Sequence, residues 1–236
     1  MADFRTAATR TVPQTEVLNA FLRGVYQWMA GGLALTAITA YLVASSPTLV
    51  QAIFGNPILF WGLIIAEFGL VMGISGGISK LSASTASGLF LLYSGLNGVT
   101  LSAILLAYTG SSVVGTFVIC AGMFGAMSVY GMVTKKDLTS MGSFMFMGLV
   151  GIILASIVNI FLKSPGLEFA ISGIGVLVFV GLTAYDTQKL KVMGQSAPMD
   201  DGTAIRRGTI LGALTLYLDF INLFLMLLRF FGQARE

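Results

Sequence analysis

Three acidic residues stand inside otherwise apolar runs: Glu67 in AEFGLVMG (66–73), Asp186 in GLTAYDTQK (181–189) and Asp219 in LYLDFINLF (216–224). A charged carboxylate at the bilayer centre costs roughly 2.5–3.5 kcal/mol on insertion scales, so an acid at membrane depth is a functional candidate by default. Two carboxyls that meet in a low-dielectric site cannot both ionise cheaply; they hold one proton between them and titrate as a unit. Loss of that proton makes them repel and presents hard oxygen ligands of the kind calcium prefers. Carboxyls in such a setting can therefore sense pH and gate a cation path.

The elements that must position these acids follow from composition. The 236 residues are 56% hydrophobic and only 10% charged, against about 25% charged in soluble domains. At roughly 20 residues per crossing, the apolar runs predict seven membrane spans, at about 21–45, 57–78, 83–108, 112–133, 142–162, 167–188 and 208–230. The chain then divides into a polar N-terminus (1–20), one seven-helix transmembrane domain (21–230) and a short tail (231–236), with the longest polar stretch, 189–207, before the last span. No room remains for a soluble catalytic domain. The basic residues set the orientation, because short loops rich in Lys and Arg stay cytoplasmic. With the N-terminus inside, ten of the 13 basic residues lie inside and three, Lys163, Arg229 and Arg235, lie outside. The expected topology is N-terminus in, C-terminus out.

Depth distinguishes the acids. At 1.5 Å per residue, Asp219 lies about 18 Å along its helix from Arg207 and about 15 Å from Arg229. Glu67, about 15 Å from Pro57 and about 20 Å from Lys80 by the same rise, is also deep. Asp186 is only three residues from Lys189, so an i,i+3 ion pair is its structural alternative. For Glu67 the alternative is a protonated acid hydrogen-bonded to a neighbouring helix. Thr215 and Asn222 put Asp219 within a polar stripe on an apolar helix, which marks a buried site on a central helix. We take Thr183, Thr215 and Asn222 as supporting polar residues, and Lys80 as the cation nearest to Glu67. Asn97 with Thr100, and Ser156 with Asn159, sit three apart on single helix faces and are expected to make interhelical hydrogen bonds. Gly69, Gly73 and Gly77, four apart, predict a groove for a neighbouring helix.

Other chemistries are disfavoured. With no histidine and the single cysteine Cys120 in an apolar run, His-based catalysis, His metal sites and disulfides are excluded. GISGGISK (73–80) lacks the G-K-[ST] of a phosphate loop. The basic residues are scattered between spans and form no nucleic-acid stripe. An intramembrane aspartyl protease needs Gly-x-Gly-Asp where this chain has LYLD (216–219), and a retinal receptor needs a mid-span lysine, whereas all six lysines stand at span ends. No enzyme activity and no bound cofactor are expected.

AYDTQ (184–188) closing the sixth span and LYLDFINLF (216–224) in the seventh together resemble the transmembrane Bax inhibitor motif family, specifically its bacterial members. The resemblance extends over essentially the whole chain. It implies six helices around a central seventh and a pH-sensitive calcium leak across the bacterial inner membrane. In the family a proton-sharing aspartate pair on the last two helices falls on Asp186 and Asp219, which makes both candidate calcium ligands, and an acid of the second helix falls on Glu67. Some relatives pair that acid with an arginine late in the same helix, where this chain offers only Lys80. The partners implied are the lipid bilayer, calcium and protons. The alternative is a non-conducting regulator that binds another membrane protein, such as a membrane-bound protease. Pairing of the acids raises one difficulty: depth counting puts Asp186 nearer the cytoplasmic face than Asp219, so contact needs a broken or tilted helix, or a seventh helix whose first turns stand outside the bilayer.

Overall fold

The structure, a computed structural model, describes residues 14–196 and 201–235. Most of the polar N-terminus (1–13), part of the basic link (197–200) and Glu236 lie outside the described residues. Among the described residues eight helices follow one another: α1 (Gln14–Ala44), α2 (Pro47–Phe54), α3 (Pro57–Gly77), α4 (Ala83–Ala107), α5 (Gly110–Val133), α6 (Thr139–Leu162), α7 (Pro165–Gln195) and α8 (Gly202–Phe231). All but α2 are long and apolar enough to cross a membrane, so the chain is an all-α integral membrane protein with the seven spans its sequence predicts.

Local chemistry sets the ends. Pro47, Pro57 and Pro165 each open a helix, where a missing N–H and a fixed φ are harmless. Ser46, Asn56, Ser164 and Asp201 cap the first turns with side-chain oxygens. The short α2 is a correction to the sequence reading, which has only a loop between the first two spans. A capping serine followed by proline starts a helix there, and Gly55 stops it after eight residues.

Three spans run further than the apolar stretches predict. The first begins at Gln14, the sixth continues to Gln195 and the last starts at Gly202. Packing explains the extension of α7: Leu190 is buried against Gly212, and Gly194 sits under Leu18 and Phe21 of α1. Polar residues in between do not end a helix whose other face is covered.

Helix α8 is central, packing against α1, α4, α5 and α7 and touching α3. Helix α6 packs on α7 rather than on α8, so the ring is two helices deep on that side. Lipid tails are as apolar as leucine, so these helices are held by close packing rather than by escape from water. Two glycines permit the closest approaches. A Cβ on Gly98 of α4 would collide with Thr39 and the Thr36 carbonyl of α1, and one on Gly131 of α5 would collide with the Ala184 carbonyl of α7. By contrast, nothing lies within 4 Å of a Cβ at Gly69 or Gly73, which corrects the expected groove. The reason is helical phase: α3 turns Glu67, Leu70, Val71 and Ile74 inward at i, i+3, i+4 and i+7 spacing, and the glycines fall on the opposite, outward side.

The tail is tied down. Thr109 N donates to Gln233 O at 3.1 Å and Arg235 N to Ala107 O at 2.9 Å, which pins the C-terminal end of α8 to the α4–α5 turn.

Candidate functional site

Asp219 points into the middle of the bundle and is only 5% exposed. No N–H or hydroxyl among the described residues reaches its buried Oδ2. The acid that stands near enough to influence it is Asp186 of α7. Ionised carboxylates only accept, so two such groups could hydrogen-bond to each other only with a proton between them. Asp186 is half-buried and within electrostatic reach of Lys189 as well. The Lys189 ammonium itself stands over the Tyr185 ring, 6.0 Å from its centroid. Asp186 thus lies within electrostatic reach of both Lys189 and Asp219, with no ion-pair contact to Lys189 among the described residues.

The depth difficulty disappears in the helix register. Leu190 of α7 meets Gly212 of α8, and Gly175 meets Met226. Four residues back from Leu190 on α7 and four on from Gly212 on α8, Asp186 faces Leu216, one turn from Asp219. Counting from the edges of the apolar runs fails because the end of α7 lies alongside the apolar start of α8, and α8's first turns project beyond it.

The supporting residues act locally. Thr183 donates to Phe179 O at 2.7 Å, Thr215 to Leu211 O at 3.0 Å and Asn222 to Leu218 O at 2.8 Å. Each bond is within its own helix, so none of them supplies a donor to Asp219. Ser156 and Asn159 also depart from expectation: the Asn159 side chain accepts from Ser164 N at 3.0 Å and shapes the α6–α7 turn. Lys80 is exposed on the turn after α3, about 20 Å along the chain axis from Glu67.

Glu67 has different partners. Asn97 Nδ2 donates to its Oε2 at 3.1 Å and Thr100 Oγ1 to its Oε1 at 2.9 Å, the interhelical bonds expected of that pair. Behind Asn97 lies Tyr217, completely buried, whose hydroxyl donates to Asn97 Oδ1 at 3.0 Å and stands 2.6 Å from Thr36 Oγ1. Tyr217 and Thr36 are absent from the sequence-derived site. Tyr217 lies within the LYLDFINLF segment, and two residues at 100° each place it on the side of α8 opposite Asp219. The central helix thus carries an acid facing α7 and a phenol facing α1 and α4 at nearly one depth.

As a cation site the pair is sparse. The described residues contain no group of three or more His, Cys, Asp or Glu side chains able to hold a metal ion. Calcium takes six to eight oxygens, more than two carboxylates supply.

Seven membrane-crossing helices, one of them central and carrying the buried Asp219, define an α-helical integral membrane protein. More particularly, the chain belongs to the family described as Inhibitor of apoptosis-promoting Bax1, whose model matches residues 18–236. It is 55% identical over 218 residues to Inner membrane protein YbhL of Escherichia coli strain K12, covering 92% of this chain and 93% of that one. A Borreliella burgdorferi protein is 50% identical over 229 residues, covering 96% and 98%. A Rickettsia prowazekii protein is 45% identical over the full length of both chains.

Proposed function

We propose that the protein is a passive, pH-gated cation leak of the bacterial inner membrane, with calcium as the principal ion and the Asp186–Asp219 pair as the gate. The observation that carries this reading is the α7–α8 register, which sets Asp186 about one turn from the level of Asp219, with no donor among the described residues at the buried Asp219 Oδ2. One shared proton ties the two helices together. Its loss leaves two like charges in a low-dielectric site, which repel and attract a cation to the same place. The inner-membrane location accords with the name of the Escherichia coli relative, and the basic residues favour an inside N-terminus and an outside C-terminus, which a reporter fused after Glu236 tests. The scheme uses no cofactor and no catalytic step.

Calcium flux through the purified protein in liposomes, without ATP and across a pH series, is the test. Flux down the calcium gradient that changes with pH is expected, and an equal flux of anions overturns the reading, because an acidic path favours cations. Silence at every pH favours the second reading, a non-conducting regulator that binds another membrane protein. The outward, unpartnered Gly69 and Gly73 of α3 support that alternative, since small residues allow a foreign helix to approach closely.

A further inference from the structure

The hydrogen bonds leading to Glu67 run in one direction. Tyr217 has a single proton, and with that proton on Asn97 Oδ1 its oxygen is free to accept from Thr36 Oγ1. Asn97, its carbonyl oxygen occupied, turns its NH₂ to Glu67. Every donor from α1 through α8 and α4 points toward the carboxylate on α3, the arrangement an ionised acceptor demands.

The same atoms satisfy a reversed chain. Thr36 Oγ1 also lies 2.9 Å from Gly32 O and 2.9 Å from Ser94 O, so it has acceptors for its proton when Tyr217 no longer takes it. If Glu67 gains a proton from the aqueous phase, its O–H donates to Asn97 Oδ1 after a half-turn of the amide. The amide then donates to Tyr217, Tyr217 to Thr36, and Thr36 to the α1 or α4 carbonyl. Thr100 likewise has Asn97 O at 3.0 Å as a second acceptor. No donor or acceptor is orphaned in either direction, and the only covalent change is the proton on Glu67.

We infer that the Thr36–Tyr217–Asn97 chain reverses with the protonation of Glu67, and that Tyr217 and Asn97 are positioning residues which report that protonation to the central helix, two residues from Asp219. The titratable groups that face Glu67 are Tyr93 of α4 and Tyr217 of α8. Tyr93 is buried and packs edge-on to Tyr217, ring centroids 5.6 Å apart. The consequence for flux rests on the leak reading; the reversal itself does not.

Infrared difference spectra of the full-length protein across a pH series test the reversal. The Glu67 carboxyl band is assigned by its loss in Glu67→Gln and the Tyr217 phenol band by its loss in Tyr217→Phe. The Tyr217 band should change with pH in the native protein, and that change should vanish in Glu67→Gln and in Thr36→Val, which removes the far acceptor. A tyrosine held only for packing shows no pH response, so a Tyr217 band that ignores pH, or still responds in Glu67→Gln, overturns the inference. In liposomes, Tyr217→Phe should lower flux about fivefold, what one neutral hydrogen bond is worth, and should add nothing in a Glu67→Gln background. An infrared response without flux in any variant refutes the leak and leaves the reversal standing. Flux with independent Glu67 and Tyr217 bands refutes the reversal and leaves the leak.

Discussion

The two acidic regions hold the same chemical group in opposite circumstances. Glu67 sits at the inner edge of a largely lipid-facing helix and receives two donors, from Asn97 and Thr100. Asp219 sits on the most buried helix, where no N–H or hydroxyl among the described residues reaches its Oδ2 and another carboxyl is near. An acid supplied with donors tolerates its charge; an acid supplied with a second acid needs a proton. Burial alone does not say what a proton does at each acid: at Glu67 it turns a chain of donors, and between Asp186 and Asp219 it would join two helices.

The largest effect should come from removing the proton site of the pair. An asparagine at 219 is nearly isosteric but cannot ionise, so Asp219→Asn should abolish most of the pH dependence of flux. Asp186→Asn should do the same if the two carboxyls act as one titrating unit. The double mutant decides, because coupled groups give non-additive effects whereas independent sites add within about 0.5 kcal/mol. If Asp186→Asn leaves the pH midpoint in place and the double mutant is additive, Asp186 serves Lys189 and the comparison between the two regions collapses.

A smaller and different effect is expected at the other region. Glu67→Gln keeps an acceptor oxygen toward Thr100 or Asn97 but loses the charge, so flux should change in size while its pH midpoint stays near that of the native protein. A loss of pH dependence as large as that expected of Asp219→Asn would mean that Glu67, not the pair, is the primary sensor.

Legibility from sequence followed the energetic cost of each residue. Carboxyls in apolar runs are expensive enough to stand out, so Glu67, Asp186 and Asp219 were readable one by one, as were the seven spans. Thr36 was not, since a threonine in a membrane helix has a carbonyl of its own helix in reach, as Thr36 Oγ1 has Gly32 O at 2.9 Å, and carries no mark of a further partner. Tyr217 was visible only as an aromatic neighbour of Asp219; its role depends on α4 lying against α8, which no local pattern encodes. Depth counting misjudged the Asp186–Asp219 pair for a related reason. It assumes that helices end where polar residues begin, whereas tertiary cover carries α7 on to Gln195. The glycine spacing in α3 was a true pattern with the wrong consequence, because periodicity identifies a face without saying what covers it.

That last distinction gives the finest test, two substitutions of identical chemistry. A Cβ at Gly131 collides with the Ala184 carbonyl, which is backbone and cannot swing away, two residues before Asp186. Gly131→Ala should therefore push α5 from α7 and cost about 1–3 kcal/mol of overpacking, or roughly 2–10 °C in melting temperature for a chain of this size. It should also disturb the pH profile, since α7 carries Asp186 with it. Gly73→Ala meets open space, and stability should stay within about 0.5 kcal/mol, as at exposed positions generally. Both substitutions equally raise helix propensity, so the difference between them isolates contact from propensity. If Gly73→Ala proves as damaging as Gly131→Ala in the purified protein, the outward face of α3 is covered by something, and a second protein on that ridge becomes the reading to pursue. If Gly73→Ala is silent while Gly131→Ala alters both melting and pH response, the close α5–α7 contact is what holds Asp186 to its partner.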